Sequence, residues 1–201
     1  MPITKQPNTP DGWHSRGYLP HFDGGEIPQF ITSRLADSLP QKLLDKWRDE
    51  LRNDDCDLDA ALRKRIELFL DRGYGECRLR DRRVAKMVQN SLLFFDGSRY
   101  RLSAWVVMPN HLHMLLTPCE GQDLSAILHS LKSYTANEAN KLTGSSGQFW
   151  QPESFDRWLR DAEHFARVVA YIENNPVKAR LCKRPEDWPF SSAWFRKRGG
   201  K

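Results

Sequence analysis

Residues 104–117, AWVVMPNHLHMLLT, form a nearly continuous apolar run that is interrupted by Pro109 and Asn110 and then by two histidines. Valines and leucines on both sides of a Pro-Asn pair predict two buried strands joined by a turn, because Pro and Asn suit turns better than strand interiors. Successive side chains of a strand point to opposite faces of the sheet, so His111 and His113 project from the same face. The two imidazoles are therefore close enough to share one metal ion.

A purely structural role for the two histidines stays open at this point. A single histidine in an apolar run is usually a packed core residue. Two histidines on one face of a buried strand must both be desolvated, which is costly unless each is hydrogen-bonded or bound to a metal. Because imidazole is a common ligand of divalent metals, the pair favours a functional site.

The length of the chain, 201 residues, predicts a single domain over residues 1–201, with an N-terminal arm at 1–26 and a basic C-terminal tail at 181–201. There is no run of 18 apolar residues, and the first segment, MPITKQPNTPDGW, lacks the apolar core of a signal peptide. The four cysteines contain no C-x-x-C pair, which argues against a zinc knuckle or a disulfide framework. These features predict a cytoplasmic protein.

The charge of the chain is positive and unevenly distributed. There are 31 Lys and Arg against 26 Asp and Glu, a formal net charge of +5, and basic residues concentrate at 78–86 and from 157 onward. Together with seven tryptophans, this pattern suits single-stranded nucleic acid, since phosphates attract cations and unpaired bases stack on aromatic rings. The signal is unspecific by itself, because charge runs are more often solvated helix faces and tryptophans are more often core residues.

A second polar group lies on the helix predicted over residues 162–175, which is expected to break at Pro176. At about 100° per residue, Tyr171 and Asn175 lie one turn apart on the flank of the apolar stripe, with His164 on the same flank. Tyr171 can still be a rim tyrosine with its ring in the core, and Asn175 can simply terminate the helix. From the residues alone these structural roles stay open.

Four motifs, WVVMPNHLHMLL, FWQPESFDRWLRDAEHF, YIENNPVKA and DWPFSSA, occur in an order that resembles the REP-associated tyrosine transposases. These are relatives of the single-tyrosine HUH transposases of small insertion sequences, and the resemblance extends over residues 13–194. It implies a ferredoxin-like α+β fold, in which helices flank a central antiparallel sheet. It also implies a two-histidine motif on a central strand and a nucleophilic tyrosine on a neighbouring helix.

The resemblance also implies roles for particular residues. His111 and His113 match the two metal-binding histidines, Tyr171 in YIENNP matches the nucleophile, and Asn175 matches a third, amide ligand of a divalent ion, Mg²⁺ or Mn²⁺. Tyr134 in LKSYTANEAN is the rival nucleophile. It is disfavoured because it falls on an apolar helix stripe and because a glutamate, not an amide, stands four residues later.

The function implied by the resemblance is a metal-dependent single-stranded DNA endonuclease and strand transferase. It would act at REP-type hairpins, the repetitive extragenic palindromes, through a covalent 5′-phosphotyrosine. The expected partners are single-stranded DNA and DNA hairpins in the bacterial nucleoid, with the protein a monomer or a homodimer and no membrane involved. The alternative is a catalytically silent protein that binds DNA hairpins in a structural or regulatory role.

The basic C-terminal stretch and the WHSRGY segment are the predicted hairpin contacts. The candidate DNA-binding residues are His14, Arg16, Trp150, Gln151, Arg157, Lys178, Lys183 and Arg184. Trp150 and Gln151 can equally be structural. The unperturbed pKa of tyrosine is about 10, so the hydroxyl needs activation by the metal or by a nearby base. His164 is a candidate for that base.

Overall fold

The computed structural model describes residues 13–15, 20–22, 25–52, 58–159 and 161–200. In chain order the strands are β1 (Trp13–Ser15), β2 (Pro20–Phe22), β3 (Gln29–Arg34), β4 (Tyr100–Val107), β5 (His111–Pro118) and β6 (Phe155–Trp158). The helices are α1 (Gln41–Leu51), α2 (Leu58–Asp71), α3 (Arg82–Phe94), α4 (Leu124–Thr143), α5 (Ala162–Lys178) and α6 (Ser192–Lys197), with short 3-10 turns at Arg78–Arg80 and Pro185–Asp187. The division into one domain with an arm and a tail stays a prediction.

Four strands form the central sheet in the order β4-β5-β3-β6, with every neighbouring pair antiparallel. In the chain, α1, α2 and α3 lie between β3 and β4, and α4 lies between β5 and β6. This connectivity and strand order are the ferredoxin-like arrangement, so the predicted α+β fold is confirmed. The predicted strand pair is β4 and β5, and the turn between them is closed where Met108 N–H donates to the carbonyl of His111 at 2.9 Å. Strands β1 and β2 form a separate antiparallel pair.

Strand β5 is buried along its whole length because both faces of the sheet are covered. Its residues in the core formed with α3 and α4 are Leu112, Met114 and Leu116. The alternating residues His111, His113 and Leu115 project from the opposite face, where Leu115 packs with Ile172 of α5. The histidine pair therefore points toward the helix that carries the predicted nucleophile.

The helices α1 and α2 pack against each other around a small core of their own. Its buried members are Leu39, Leu44, Leu51 and Leu62. The same two helices and the β3 residues Thr32 and Arg34 line one cavity, which places the helix pair beside α5 on the histidine face of the sheet. Among the described residues, no helix combines the length and apolar character needed to cross a membrane.

The DWPFSSA segment attaches α5 to the edge strand β4. Trp188 Nε1–H donates to the carbonyl of Val107 at 2.9 Å, and Val107 N–H donates to the carbonyl of Phe190 at 2.8 Å. The Ser192 hydroxyl donates to the Glu173 carboxylate of α5 at 2.6 Å. These contacts cover the exposed edge of the sheet and fix the helix that carries Tyr171.

Helix α5 does not break before Pro176, as predicted from the sequence, but continues to Lys178. Proline removes one backbone donor, but the last turn is retained because Ala179 N–H donates to the carbonyl of Asn175 at 2.9 Å. Asn175 therefore lies inside the helix, and the alternative that it terminates the helix is wrong.

Candidate active site

The ring of His111 is oriented by its neighbour in the turn. Asn110 Nδ2 donates to the carbonyls of Leu70 at 3.2 Å and Tyr74 at 3.0 Å, which leaves Asn110 Oδ1 as an acceptor. This oxygen lies 2.8 Å from His111 Nδ1, so the proton of the neutral ring belongs on Nδ1. The lone pair on His111 Nε2 is then available, and this atom is buried without a hydrogen-bond partner.

The second ring, His113, is held by β3. Its Nδ1 lies 2.8 Å from the hydroxyl of Thr32, the residue opposite it in the sheet. The centroids of the two imidazoles are 4.6 Å apart, and both side chains are fully buried. Burial lowers the pKa of His111 to about 3 and the pKa of His113 well below its usual value. Both rings are therefore neutral at neutral pH, which is the form that binds metals.

Helix α5 places Tyr171 and Asn175 against this pair. The ring centroid of Tyr171 lies 5.5 Å from that of His113 and 5.8 Å from that of Phe30, to which the tyrosine ring is perpendicular. Asn175 is fully buried, and neither atom of its amide has a hydrogen-bond partner. Its amide is close enough to raise the pKa of His111 and to lower that of Tyr171, although burial outweighs both effects.

The donor set fits a divalent metal ion. Three polar groups converge, and His111 Nε2 and the amide atoms of Asn175 are buried without partners, a costly state that a shared cation would relieve. In the part of the chain that the structure describes, no group of three or more His, Cys, Asp and Glu residues could hold a metal. The third protein ligand of such an ion would therefore be the amide oxygen of Asn175.

Helix α2 contributes two carboxylates that sequence reasoning missed. Burial raises the pKa of Tyr171 well above its usual value, and Glu67 and Asp71 raise it further. Burial also raises the pKa of Glu67, against the opposing effects of Lys178 and Tyr171. Glu67 and Asp71 lie one helical turn apart, so α2 presents both toward the tyrosine. His164, predicted as an activating base, is not among the groups that shift the pKa of Tyr171 in the described residues.

Lys178 lies at the rim of the site. Its Nζ is 2.7 Å from Asp71 Oδ2 and 5.7 Å from the centroid of the Tyr171 ring, and 45% of its side chain is exposed. This placement puts a cation next to the tyrosine, where a phosphate would approach. Its predicted role as a DNA contact is compatible with this geometry.

The other candidate DNA contacts are scattered. Trp150 is a core residue and not a surface DNA contact, because it is buried and its Nε1–H donates to the hydroxyl of Thr135 at 2.9 Å. Gln151 is half-buried and donates to the carbonyl of Ala36. The remaining residues with described side chains are the exposed Arg157, Lys183 and Arg184, of which Arg184 is paired with Glu186 and Asp187. The side chain of His14 and all of Arg16 lie outside the described residues.

The rival nucleophile Tyr134 belongs to a helix on the far side of the sheet from His111 and His113. Helix α4 packs on the face opposite the histidines. Tyr134 is 56% exposed, so the prediction that it lies on the apolar stripe is wrong. The buried face of α4 also includes Thr135 and Ala139, so the centre of that face lies about a quarter turn from Tyr134.

The depressed histidine pKa values predict that the metal-free protein loses stability as the pH falls below about 6.5. Unfolded histidines take up a proton near their ordinary pKa of 6.5, whereas folded His111 stays neutral down to about pH 3. The unfolded state then binds more protons, so the free energy of unfolding falls by at most about 1.4 kcal/mol per pH unit for each histidine. Urea denaturation between pH 7 and pH 4 measures this slope.

The substitution His111→Gln tests this prediction. It removes one of the two buried imidazoles and should reduce the slope. Equal slopes in the wild type and in His111→Gln would contradict the neutral, buried state of His111.

Comparison with known proteins finds a family match in the middle of the chain. Residues 81–175 match the model of the family described as "Transposase IS200 like". This segment contains the strand pair with both histidines and ends at Asn175 of α5, so it spans every residue of the predicted metal and nucleophile set. Over this segment the chain is similar to the IS200-like transposases.

Two relatives match about half of the chain, and one of them agrees with the resemblance stated from the sequence. A REP-associated tyrosine transposase of Escherichia coli (strain K12) is 33% identical over 110 residues, which are 53% of this chain and 63% of that protein. An uncharacterized protein of Haemophilus influenzae (strain ATCC 51907 / DSM 11121 / KW20 / Rd) is 23% identical over 116 residues, or 47% of this chain and 63% of that protein. The chain thus covers less than two thirds of the length of both relatives.

A solved structure of a REP-associated tyrosine transposase bound to a REP hairpin has the same fold. It is 21% identical, with a TM-score of 0.54 over 92% of this chain and 88% of that chain. The resemblance predicted from the four motifs is therefore confirmed.

Proposed function

We propose that this chain is a metal-dependent endonuclease and strand transferase for single-stranded DNA. It acts at REP-type hairpins through a covalent 5′-phosphotyrosine formed on Tyr171. The observation that carries this proposal is the convergence of two neutral imidazoles and a buried amide without partners beside a tyrosine ring. The family match and the hairpin-bound relative support the choice of substrate.

Three residues would hold the metal ion: His111 and His113 through Nε2, and Asn175 through its amide oxygen. Nitrogen and amide oxygen donors with open positions suit Mn²⁺ or Mg²⁺ in the cell. An ion bound there supplies charge stabilisation to the oxygens of the scissile phosphate. His111 Nδ1–H donates to Asn110 Oδ1, and His113 Nδ1 is hydrogen-bonded to the Thr32 hydroxyl; these bonds fix the rings and would leave Nε2 of each free to bind the ion.

The nucleophile is the hydroxyl of Tyr171. Its oxygen attacks phosphorus, the bond from phosphorus to the 3′ oxygen breaks, and the leaving strand takes up a proton to become a free 3′ hydroxyl. The Glu67 carboxylate is the candidate acceptor of the tyrosine proton, since it lies close enough to Tyr171 for each group to shift the pKa of the other. A 3′ hydroxyl from another strand then attacks the phosphotyrosine, releases Tyr171 and reseals the DNA.

The experiment that tests this function mixes the purified chain with labelled single-stranded oligonucleotides that carry REP-type hairpins. A denaturing gel should show a shortened strand and a protein band carrying covalent DNA when Mn²⁺ or Mg²⁺ is present, and neither with EDTA. The same oligonucleotide annealed to its complement serves as control and should stay intact. Tight hairpin binding without cleavage under either metal would instead support the catalytically silent binder.

A further inference from the structure

A cavity of about 330 Å³ adjoins the candidate active site, between the helix pair α1–α2 and the strands β3 and β6. Two residues belong to both places. Thr32 lines the cavity and is hydrogen-bonded to His113, and Glu67 lines the cavity and perturbs the pKa of Tyr171. A strand of DNA whose phosphate lies at Tyr171 would therefore have a neighbouring nucleotide at the mouth of this cavity.

The wall of the cavity carries both cations and carboxylates. Arg34, Arg48 and Arg63 contribute to it, together with Glu67 and Glu153. Arg34 stands opposite His111 in the sheet, and its Nη1 is buried without a hydrogen-bond partner. Arginine remains charged in proteins, so a buried guanidinium nitrogen without an acceptor is costly unless a ligand supplies one. An anionic or acceptor-rich group in the cavity would relieve that cost.

The rest of the wall suits a flat aromatic ligand. Its apolar part is formed by Leu44, Leu62, Ile66, Leu70 and Phe155. The guanidinium carbon of Arg63 lies 4.5 Å above the centre of the Phe155 ring, so a flat cationic and aromatic surface borders the space. Unpaired bases stack on aromatic rings and on arginine planes, whereas a base pair inside a duplex presents only its edges. The volume is at the small end of ligand pockets, about 300–1,000 Å³, which suits a single nucleotide.

We propose that this cavity binds one unpaired nucleotide of the strand that is cleaved, adjacent to the scissile phosphate. Its base lies against Phe155 and the apolar wall, and its acceptor atoms meet Arg34. The proposal rests on the proposed function, because it takes single-stranded DNA at Tyr171 as its starting point. It adds a readout of the unpaired flank, separate from recognition of the hairpin.

The first test measures binding by fluorescence anisotropy in EDTA, so that no cleavage occurs. The probes are a REP-type hairpin with a single-stranded flank and the same hairpin without it. In the wild type the flank should increase affinity. Ile66→Trp, which fills the cavity, and Arg34→Lys, which removes the planar donor set, should each lose about tenfold of the flank-dependent affinity and none of the hairpin affinity.

The matched control is Leu68→Trp, which adds the same side chain on the same helix but at a position 48% exposed and outside the cavity. It should bind both probes like the wild type. Equal flank-dependent affinity in Ile66→Trp and the wild type would overturn the cavity proposal, and the proposed function would stand if the wild type still cleaves hairpin substrates. Absence of any binding by the wild type would overturn both.

A second measurement needs no variant and therefore does not depend on the folding of Ile66→Trp. Single 5-iododeoxyuridine residues are placed at each flank position, and the wild-type complex is photocrosslinked and digested. One position should crosslink to the peptide that contains Phe155 or to residues 62–67 of α2. Crosslinks only to peptides outside the cavity would overturn the proposal.

Discussion

Replacing Tyr171 by phenylalanine is expected to abolish the covalent protein–DNA adduct and to reduce strand cleavage by at least about a thousandfold. The substitution removes only the hydroxyl. The ring contacts with His113 and Phe30, at 5.5 Å and 5.8 Å between centroids, remain possible, so the helix should keep its place. Hairpin affinity should therefore be unchanged. Single-turnover cleavage of an end-labelled oligonucleotide and anisotropy with the same hairpin measure the two effects.

The control for this variant is Tyr134→Phe. That side chain is exposed on α4, on the opposite face of the sheet from the histidines, so its loss should leave cleavage at the wild-type rate. Adduct formation that survives in Tyr171→Phe and disappears in Tyr134→Phe would reverse the assignment of the nucleophile.

Replacing Asn175 by alanine is expected to weaken binding of Mn²⁺ by at least about 10- to 100-fold and to suppress cleavage with it. Asn175 is fully buried, and its amide has no hydrogen-bond partner in the described chain. The variant therefore removes a candidate metal ligand without breaking a hydrogen bond. Isothermal titration calorimetry of the metal-free protein with Mn²⁺ measures the affinity directly, without any DNA.

The adjacent residue supplies the control. Asn174 is exposed and its amide donates to the carbonyl of Ala170 at 2.8 Å, within the same helix. Asn174→Ala should bind Mn²⁺ like the wild type. If both variants bind the metal equally well, the amide of Asn175 is not a ligand, and the ion is held by the histidines and water alone.

The strand pair of β4 and β5 was predictable because its pattern is local. An apolar run with Pro-Asn at its centre defines two strands and a turn, and the period of two then places His111 and His113 on one face. The helical period likewise placed Tyr171 and Asn175 on one side of α5. The approach of these two elements to one another came from the family resemblance, since neither period determines how distant segments pack.

The contributions of α2 could not be predicted from the sequence. Glu67 and Asp71 lie about 100 residues before Tyr171 and belong to an ordinary amphipathic helix, so no spacing marks them as neighbours of the site. The exposed position of Tyr134 was missed because tertiary packing buries Thr135 and Ala139. The continuation of α5 through Pro176 was missed because the local backbone bond from Ala179 to Asn175 retains the last turn in spite of the proline.

The measurement that tests the central claim most directly is peptide mapping of the covalent adduct by mass spectrometry. The chain is incubated with a hairpin oligonucleotide and Mn²⁺, trypsin and nuclease reduce the adduct to a peptide carrying one nucleotide, and fragmentation locates the modified residue. The expected result is a nucleotide 5′-phosphate on Tyr171, in the peptide that follows Arg167. A nucleotide on Tyr134 or on any other residue would contradict the mechanism. Cleavage of the oligonucleotide without any protein adduct would contradict it as well.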